Sequence, residues 1–330
     1  QYPVNKADTS FIIPSDVTNI MPQALGGNAR LKEVTVPESV TEIGENAFYN
    51  CAGLTRITVS ANNTRYTSID GVLYDKNVTK LIHYPASKSE ISFAVPDSVE
   101  RIMPYAFKGS AHLSTVVFGS ESSLLTIDEY AFRSCANLAS VVFGESSVLQ
   151  TVGAFAFYGC SNLMNIRIPD SVKNIGYWAF EGCSNLRYEV YDNTMKYLDG
   201  WLIEVSDKTL AEVRLKENTK GIGAFAFRYM ANLGSIFLPE SLVSIESSAF
   251  EYCGALTEIT IPASVGYIGG SAFYGCLNLT TVTVNGIPPV IGNNAFSNTL
   301  TAIYVDAELV DIYKTTSTWS NYAAKIFPKQ

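Results

Sequence analysis

"CGALTEITIPASVGYIGGSAFYGCLNLTTVTV", Cys253–Val284, holds one full period of the chain and the start of the next. From Cys253 it runs through Leu256, Ile259 and Ile261, meets Pro262, passes Val265 and Ile268, and reaches Ala272-Phe273 and then Cys276, where the pattern restarts. The Phe of each Ala-Phe pair marks the copies outward from here: Phe48, Phe107, Phe132, Phe157, Phe180, Phe227, Phe250, Phe273 and Phe296, with Leu25 in that slot of an imperfect first copy. The intervals are 23 or 25 residues except for two long gaps of 59 and 47, so about twelve units run from end to end. Self-similarity at such a period is the mark of a solenoid, in which no unit can bury its apolar face alone and neighbours must stack.

Within a unit, the segment L-x-x-[IV]-x-[IV] recurs, as in Leu31/Val34/Val36 and Leu279/Val282/Val284. Its last two positions are two apart and mostly β-branched, which predicts a short strand with one face inward. A proline often follows, as at Pro37, Pro96, Pro169, Pro239 and Pro262, and its missing donor ends the ladder there. Next, S-[VL]-x-x-I-[GE] sends a second apolar pair inward, for example Val40 and Ile43. A-F-x-x-C then puts Phe and Cys at the i, i+3 spacing of one short helical turn.

The words "IPDSVKNIGYWAFEGCSNL" (Ile168–Leu186) and "IPASVGYIGGSAFYGCLNL" (Ile261–Leu279) resemble the BspA-type leucine-rich repeats of bacterial surface proteins, and the likeness covers nearly the whole chain. The resemblance implies a curved leucine-rich-repeat solenoid with a parallel β-sheet face, short helical or irregular turns and capped ends. Residues 1–306 are then the solenoid, with an irregular N-terminal coil carrying Pro3, Pro14 and Pro22, and residues 307–330 are a C-terminal cap. Two variant units, at about 66–95 and 195–220, share D-G-x-L. Each reads as a hairpin: Val72–Tyr74 with Leu81–Tyr84, and Trp201–Val205 with Thr209–Val213.

All six cysteines, Cys51, Cys135, Cys160, Cys183, Cys253 and Cys276, stand three residues after the repeat Phe. Other copies put Ser110, Met230 and Thr299 there, so the slot asks for a modest side chain rather than for chemistry. Stacked equivalent side chains point the same way, which keeps their Cβ atoms too far apart for a disulfide. Buried free thiols are the expectation. With two histidines, His83 and His112, and no C-x-x-C, a metal site is not indicated.

The sequence contains no G-x-S-x-G, H-E-x-x-H, P-loop or G-x-G-x-x-G, and the cysteines are not placed as nucleophiles; no enzyme and no cofactor are expected. Acids such as Asp128 and Glu129 are expected to face solvent. A net charge of −8 disfavours nucleic acid and anionic membrane surfaces. There is no apolar run long enough to span a bilayer, and the opening "QYPVNKADTS" is not a signal peptide.

Function therefore falls to the surface. The period-two rule turns Val117, Val142, Arg167, Tyr188, Val190 and Phe237 outward from the strands, an apolar middle between Thr-rich ends. Such a patch fits a protein partner, while the bland reading is that these are simply good strand residues. A second stripe, Tyr105, Tyr130, Phe155, Trp178 and Phe225, precedes the repeat Ala and reads either as a platform for glycan or as edge packing. The resemblance implies an adhesin-like role, binding a host matrix or cell-surface protein, and the chain is expected to be a monomeric cell-surface or secreted module. A glycan-binding module and a spacer without ligand stay open beside it.

Overall fold

The computed structural model describes residues 8–330; Pro3, assigned above to the irregular first coil, lies outside them. The chain folds as a parallel-strand β-solenoid of about 14 turns with few helices. The expected count of about twelve units, two of them irregular, roughly fits. The coils group into two compact units, Gln1–Val172 with Trp178–Arg187, and Lys173–Tyr177 with Tyr188–Gln330.

In the first unit, Ser10–Ile12, Glu33–Val36 and Arg56–Val59 pair in parallel, as do Ser92–Val95, Thr115–Phe118, Ser140–Val142 and Asn165–Ile166. The register is one repeat per rung, with Val116 opposite Val141 and Val141 opposite Ile166. Alternation puts Val34, Val36, Val116 and Phe118 in the core. The proline carbonyls then close four-residue turns, Pro37 accepting from the amide of Val40, Pro96 from Val99 and Pro169 from Val172. The serine of the next word ties each turn to the preceding coil: Ser39 Oγ donates to the Val17 carbonyl at 2.7 Å and Ser171 Oγ to that of Ser147 at 2.8 Å. A second column of two-residue strands follows, as in Arg101–Ile102, Thr126–Ile127 and Thr151–Val152.

The Ala-Phe word forms a turn that is not helical. The amides of Tyr130, Phe132 and Ser134 donate forward to the carbonyls of Ala154, Ala156 and Tyr158, at 2.9, 2.7 and 2.7 Å. The intervening amides of Ala131, Arg133 and Cys135 donate back to Asp128, Tyr130 and Phe132. This alternation needs left-handed residues at both ends, and Tyr130 and Ser134 each have φ of 59°. The glycine of "AFYGC" is thereby explained, with φ of 72° at Gly159 and 73° at Gly275. The turn stacks the Phe rings in the core: Phe107–Phe132, Phe132–Phe157 and Phe157–Phe180 lie nearly parallel at 4.5, 5.0 and 5.4 Å.

The second unit repeats the plan. Glu258–Ile261, Thr281–Val284 and Ala302–Val305 form its strand ladder, and Phe227, Phe250, Phe273 and Phe296 stack at 4.8 to 5.4 Å. Its C-terminal segment covers the last coil. The helix Val310–Thr315 buries Tyr313, Trp319 Nε1 donates to the Pro289 carbonyl at 2.7 Å, and Ile326–Pro328 adds a parallel strand to Ala302–Val305. That added strand protects an edge that would otherwise be open.

The variant stretches are antiparallel meanders. Tyr66–Ile69 pairs with Val72–Asp75, and Val72–Asp75 with Lys80–His83, so the hairpin expected there gains a strand. The second expected hairpin is corrected: the antiparallel partner of Trp201–Val205 is Met195–Leu198, while Glu212–Arg214 pairs in parallel with Ser235–Phe237. Asp199-Gly200, with φ of 47° and 87°, supplies the two-residue hairpin turn. Gly221–Ile222 occupies the other edge of Trp201–Val205, leaving no place for Thr209–Val213.

Two acids stand in a slot that otherwise favours Gly. Asp128 is buried rather than solvent-facing, because Arg101 holds it bidentately at 2.6 and 2.9 Å; Glu129 is exposed as expected. Glu246 is buried in the second unit, where Asn174 Nδ2 donates to both its oxygens at 3.0 Å, Ser244 Oγ to Oε1 at 2.7 Å and the Ile175 amide to Oε1 at 3.3 Å. Burial pushes its pKa up to about 8 against the pull of those donors.

Two predictions follow from these constraints. A Cβ at Gly159 meets nothing closer than 3.7 Å, so Gly159→Ala should cost only the left-handed strain, about 1 kcal/mol. At Gly275 it would sit 2.3 Å from Tyr252 Cδ1, so Gly275→Ala should lower the urea midpoint further; equal midpoints would contradict the turn geometry. Glu246 keeps its proton in the folded state up to about pH 8, whereas the unfolded carboxyl releases it near 4.5. The folded state therefore binds more protons within that window, and the second unit should lose stability as pH rises through it. Glu246→Gln should flatten this dependence, read by hydrogen exchange of second-unit amides between pH 5 and about 8.5.

Candidate interaction surfaces

On the first unit, Val117 and Val142 are Cα partners in adjacent strands; Val117 is half-buried and Val142 is 45% exposed. Arg167, after Asn165–Ile166, is exposed. On the second unit, Phe237 is 62% exposed and lies opposite Arg214, whose guanidinium is 5.9 Å from the ring. Tyr188 is half-buried and Val190 is exposed, but neither stands in a parallel rung. Val190 pairs antiparallel with Lys196 as part of the meander, in a different sheet from Phe237. The expected continuity from Val190 to Phe237 is therefore corrected: the antiparallel turn of the chain takes "YEVY" out of the ladder.

The aromatic stripe has an unforeseen backbone. Tyr105, Tyr130, Phe155, Trp178 and Phe225 all have positive φ, between 53° and 63°. Asn46, Ser248, Ser271 and Asn294 fill the same slot in other copies, and short polar residues reach this conformation more cheaply than bulky ones. Stacking offsets the cost. Tyr105–Tyr130 and Tyr130–Phe155 are both 4.7 Å apart and within 11° of parallel, and Trp178 tilts onto Phe155 at 5.2 Å. Both faces of Tyr130 are thus covered by neighbours. Cations dress the outer side: Lys108 Nζ sits 3.5 Å from the Tyr49 ring centroid, and the Arg133 guanidinium lies 5.4 Å from Tyr130 and 5.3 Å from Tyr158. The Lys108 ammonium holds the Tyr49 hydroxyl below its ordinary pKa.

Sequence reasoning missed a row on the second unit. Tyr229 and Tyr252 occupy the slot before Met230 and Cys253, with φ of 63° and 62°, and stack at 5.2 Å. Both are exposed, as is Tyr274, which meets Tyr252 edge-on. The Arg228 guanidinium lies 4.6 Å from the Tyr229 ring and pairs with Glu251 at 2.6 Å. The available signal was a tyrosine in a slot that elsewhere holds Gly, Asn or Ser.

The cysteines are free and buried. Each thiol donates to a carbonyl one coil back: Cys135 to Phe107 at 2.9 Å, Cys160 to Phe132 at 3.1 Å, Cys183 to Phe157 at 3.2 Å, Cys253 to Phe227 at 3.1 Å and Cys276 to Phe250 at 3.0 Å. Cys51 does the same to Leu25, the Phe-equivalent of the first copy. Burial raises the Cys51 thiol to about 11; the neighbouring Cys135 and Cys183 thiols, and then burial, raise Cys160, and Cys276 with burial raises Cys253, which disfavours the thiolate at these three positions. Among the described residues no group of His, Cys, Asp and Glu is placed to hold a metal ion. His112 is exposed, and the His83 ring packs 5.2 Å from Phe48.

Stacked coils that each repeat a Leu, a strand and an Ala-Phe turn define a leucine-rich-repeat solenoid. The chain belongs to the BspA-type leucine-rich-repeat family, whose model matches residues 5–84, 83–206 and 204–321. Among solved structures it is similar to a leucine-rich repeat protein of Eubacterium ventriosum, with 27% identity and a TM-score of 0.54 over 81% of this chain. This chain spans 64% of that protein's length. It is also similar to the pneumococcal vaccine antigen PcpA (19% identity, TM-score 0.47, 97% of this chain and 68% of that one). A leucine-rich cell surface protein of Faecalibacterium prausnitzii matches at 23% identity and a TM-score of 0.37, over 98% of this chain and 89% of that one. No curated protein matches. No helix among the described residues is long and apolar enough to cross a membrane.

The thiol geometry is directly testable. A bulky maleimide should leave the six cysteines unlabelled in the native protein and label them all in urea; rapid native labelling of several would contradict their place in the ladder. Cys160→Ala should lower stability by about 1–2 kcal/mol through the lost donor and the small void, measured by urea unfolding.

Proposed function

We propose that the chain is a non-catalytic, cell-surface or secreted interaction module, adhesin-like, that binds a host or matrix protein through the outward positions of its strands. The observation that carries this reading is the exposure of Val142 and Phe237 at strand positions where other coils place Thr35, Thr58, Thr260 and Thr283. Large apolar groups held out on a parallel ladder suit a protein surface, and solenoids offer such ladders to partners. Membership of the BspA-type family supports the same reading. The stripe at Tyr105–Phe155 supports a glycan partner less well, because sugars stack on ring faces and both faces of Tyr130 are occupied.

The test is binding of the chain to a panel of immobilised extracellular-matrix proteins, with Val142→Glu and Phe237→Glu made separately. Thermal unfolding should be nearly unchanged, since both side chains are exposed. At least one substitution should weaken binding about tenfold or more, as a hot-spot residue does. Binding that survives both substitutions together would refute the strand face as the site. Binding to a glycan array but to no protein would favour the glycan module.

A further inference from the structure

The first variant stretch interrupts the column of Ala-Phe turns in the first unit. Between the turn at Asn46–Cys51 and the turn at Tyr105–Gly109, the chain supplies only the shorter corner His83–Ala86. That corner serves the following coil well: the Tyr84 amide donates to the Ala106 carbonyl at 2.8 Å, and the Tyr84 ring stacks on Phe107 at 5.0 Å. It does not serve the preceding coil in the same way. In a regular pair the amides of Phe107 and Gly109 donate to Ala131 and Arg133, but those of Phe48 and Asn50 have no such backbone acceptor among the described residues.

The shortfall leaves a cavity of about 150 Å³. Ile43, Phe48, Tyr49, Ile82, Met103 and Tyr105 make it mainly apolar. Asn46 and His83 also line it, and Asn46 Oδ1 and His83 Nε2 are buried without a hydrogen-bond partner. Leaving a buried polar atom without a partner is costly, so two of them on one small cavity call for an occupant. At the rim, Lys108 is held by the Asn50 side chain at 2.8 Å and by the Tyr49 ring. Desolvation lowers the His83 pKa to about 4, so the imidazole is neutral near pH 7 and has one nitrogen able to accept.

We propose that this cavity is a binding site for a single phenolic ring. An apolar cavity of about this volume holds one benzene-sized ring. The hydroxyl supplies a hydrogen bond to Asn46 Oδ1 or His83 Nε2, which a hydrocarbon cannot do. A free monocyclic phenol and the tyrosine side chain of a partner polypeptide present the same chemistry.

The experiment measures binding to the intact chain at pH 7 by saturation-transfer NMR and titration, with p-cresol, toluene and N-acetyl-tyrosinamide as probes. p-Cresol should bind at least about tenfold more tightly than toluene, as expected for one buried hydrogen bond. His83→Phe, which keeps the ring against Phe48, and Asn46→Ser, a residue that Ser248 and Ser271 show is accepted at this left-handed slot, should each reduce that preference. N-acetyl-tyrosinamide competing with p-cresol would assign the site to a tyrosine side chain, and its failure to compete would assign it to a free phenol. No saturation transfer from p-cresol at millimolar concentration, toluene binding as tightly as p-cresol, or a preference untouched by both substitutions would overturn the proposal and leave the cavity to water.

Discussion

The fold depends on how one turn bonds to its neighbours. In A-F-x-x-C the Phe amide reaches forward to the Ala carbonyl of the next coil, and the Cys thiol reaches back to the Phe carbonyl of the previous one. A thiol is a weak donor, but it is small and tolerates a dry core better than a hydroxyl that lost its partner would. Forward and backward bonds from one five-residue word lock the spacing at which the Phe rings stack. The left-handed residues at each end of the turn are the cost, and the glycines of the regular copies reduce it.

Any break in the column leaves open groups, and each unit covers part of its break differently. In the first unit the Tyr84 amide takes over bonding to the Ala106 carbonyl and the Tyr84 ring takes over stacking on Phe107. In the second the Ala226 carbonyl receives the Lys208 ammonium at 2.8 Å, and the Trp201 ring packs so tightly over Gly221 that a Cβ there would sit 2.1 Å from Cζ3. The last turn is closed by rings, with Trp319 and Tyr322 at 6.0 and 5.7 Å from Phe296. Glu246 belongs to the same logic. Its carboxyl oxygen Oε1 accepts the Ile175 amide, a backbone donor that a neighbouring strand would satisfy in a regular coil.

Period and side-chain size made most of this legible. The Leu, Val/Ile and Phe slots predicted the inward positions because burial selects residue type directly, and the mixed occupancy of the Cys slot predicted a packed thiol. What stayed hidden depends on backbone conformation or on which edge is free. Asp128 reads as a surface acid until Arg101 is seen to reach it from the preceding coil. Thr209–Val213 reads as a hairpin arm until both edges of Trp201–Val205 are known to be taken. Exposure at Val142 and Phe237 followed from alternation alone, whereas Val190 left the ladder because the chain reversed beside it.

Strain separates the bulky aromatic residues from the rest of the pattern. Asn or Ser satisfies the left-handed slot before the repeat Ala in some copies, yet Tyr105, Tyr130, Phe155, Trp178 and Phe225 occupy it in others. Mutual stacking stabilises the run in the first unit and accounts for it as packing. Tyr229 and Tyr252 differ: they accept the same strain, stack on each other, and still expose much of their surface. A solenoid that fixes its interior by repetition varies only where side chains leave the coil. Outward strand positions and breaks in the turn column are where the constraint of identical neighbours is relaxed.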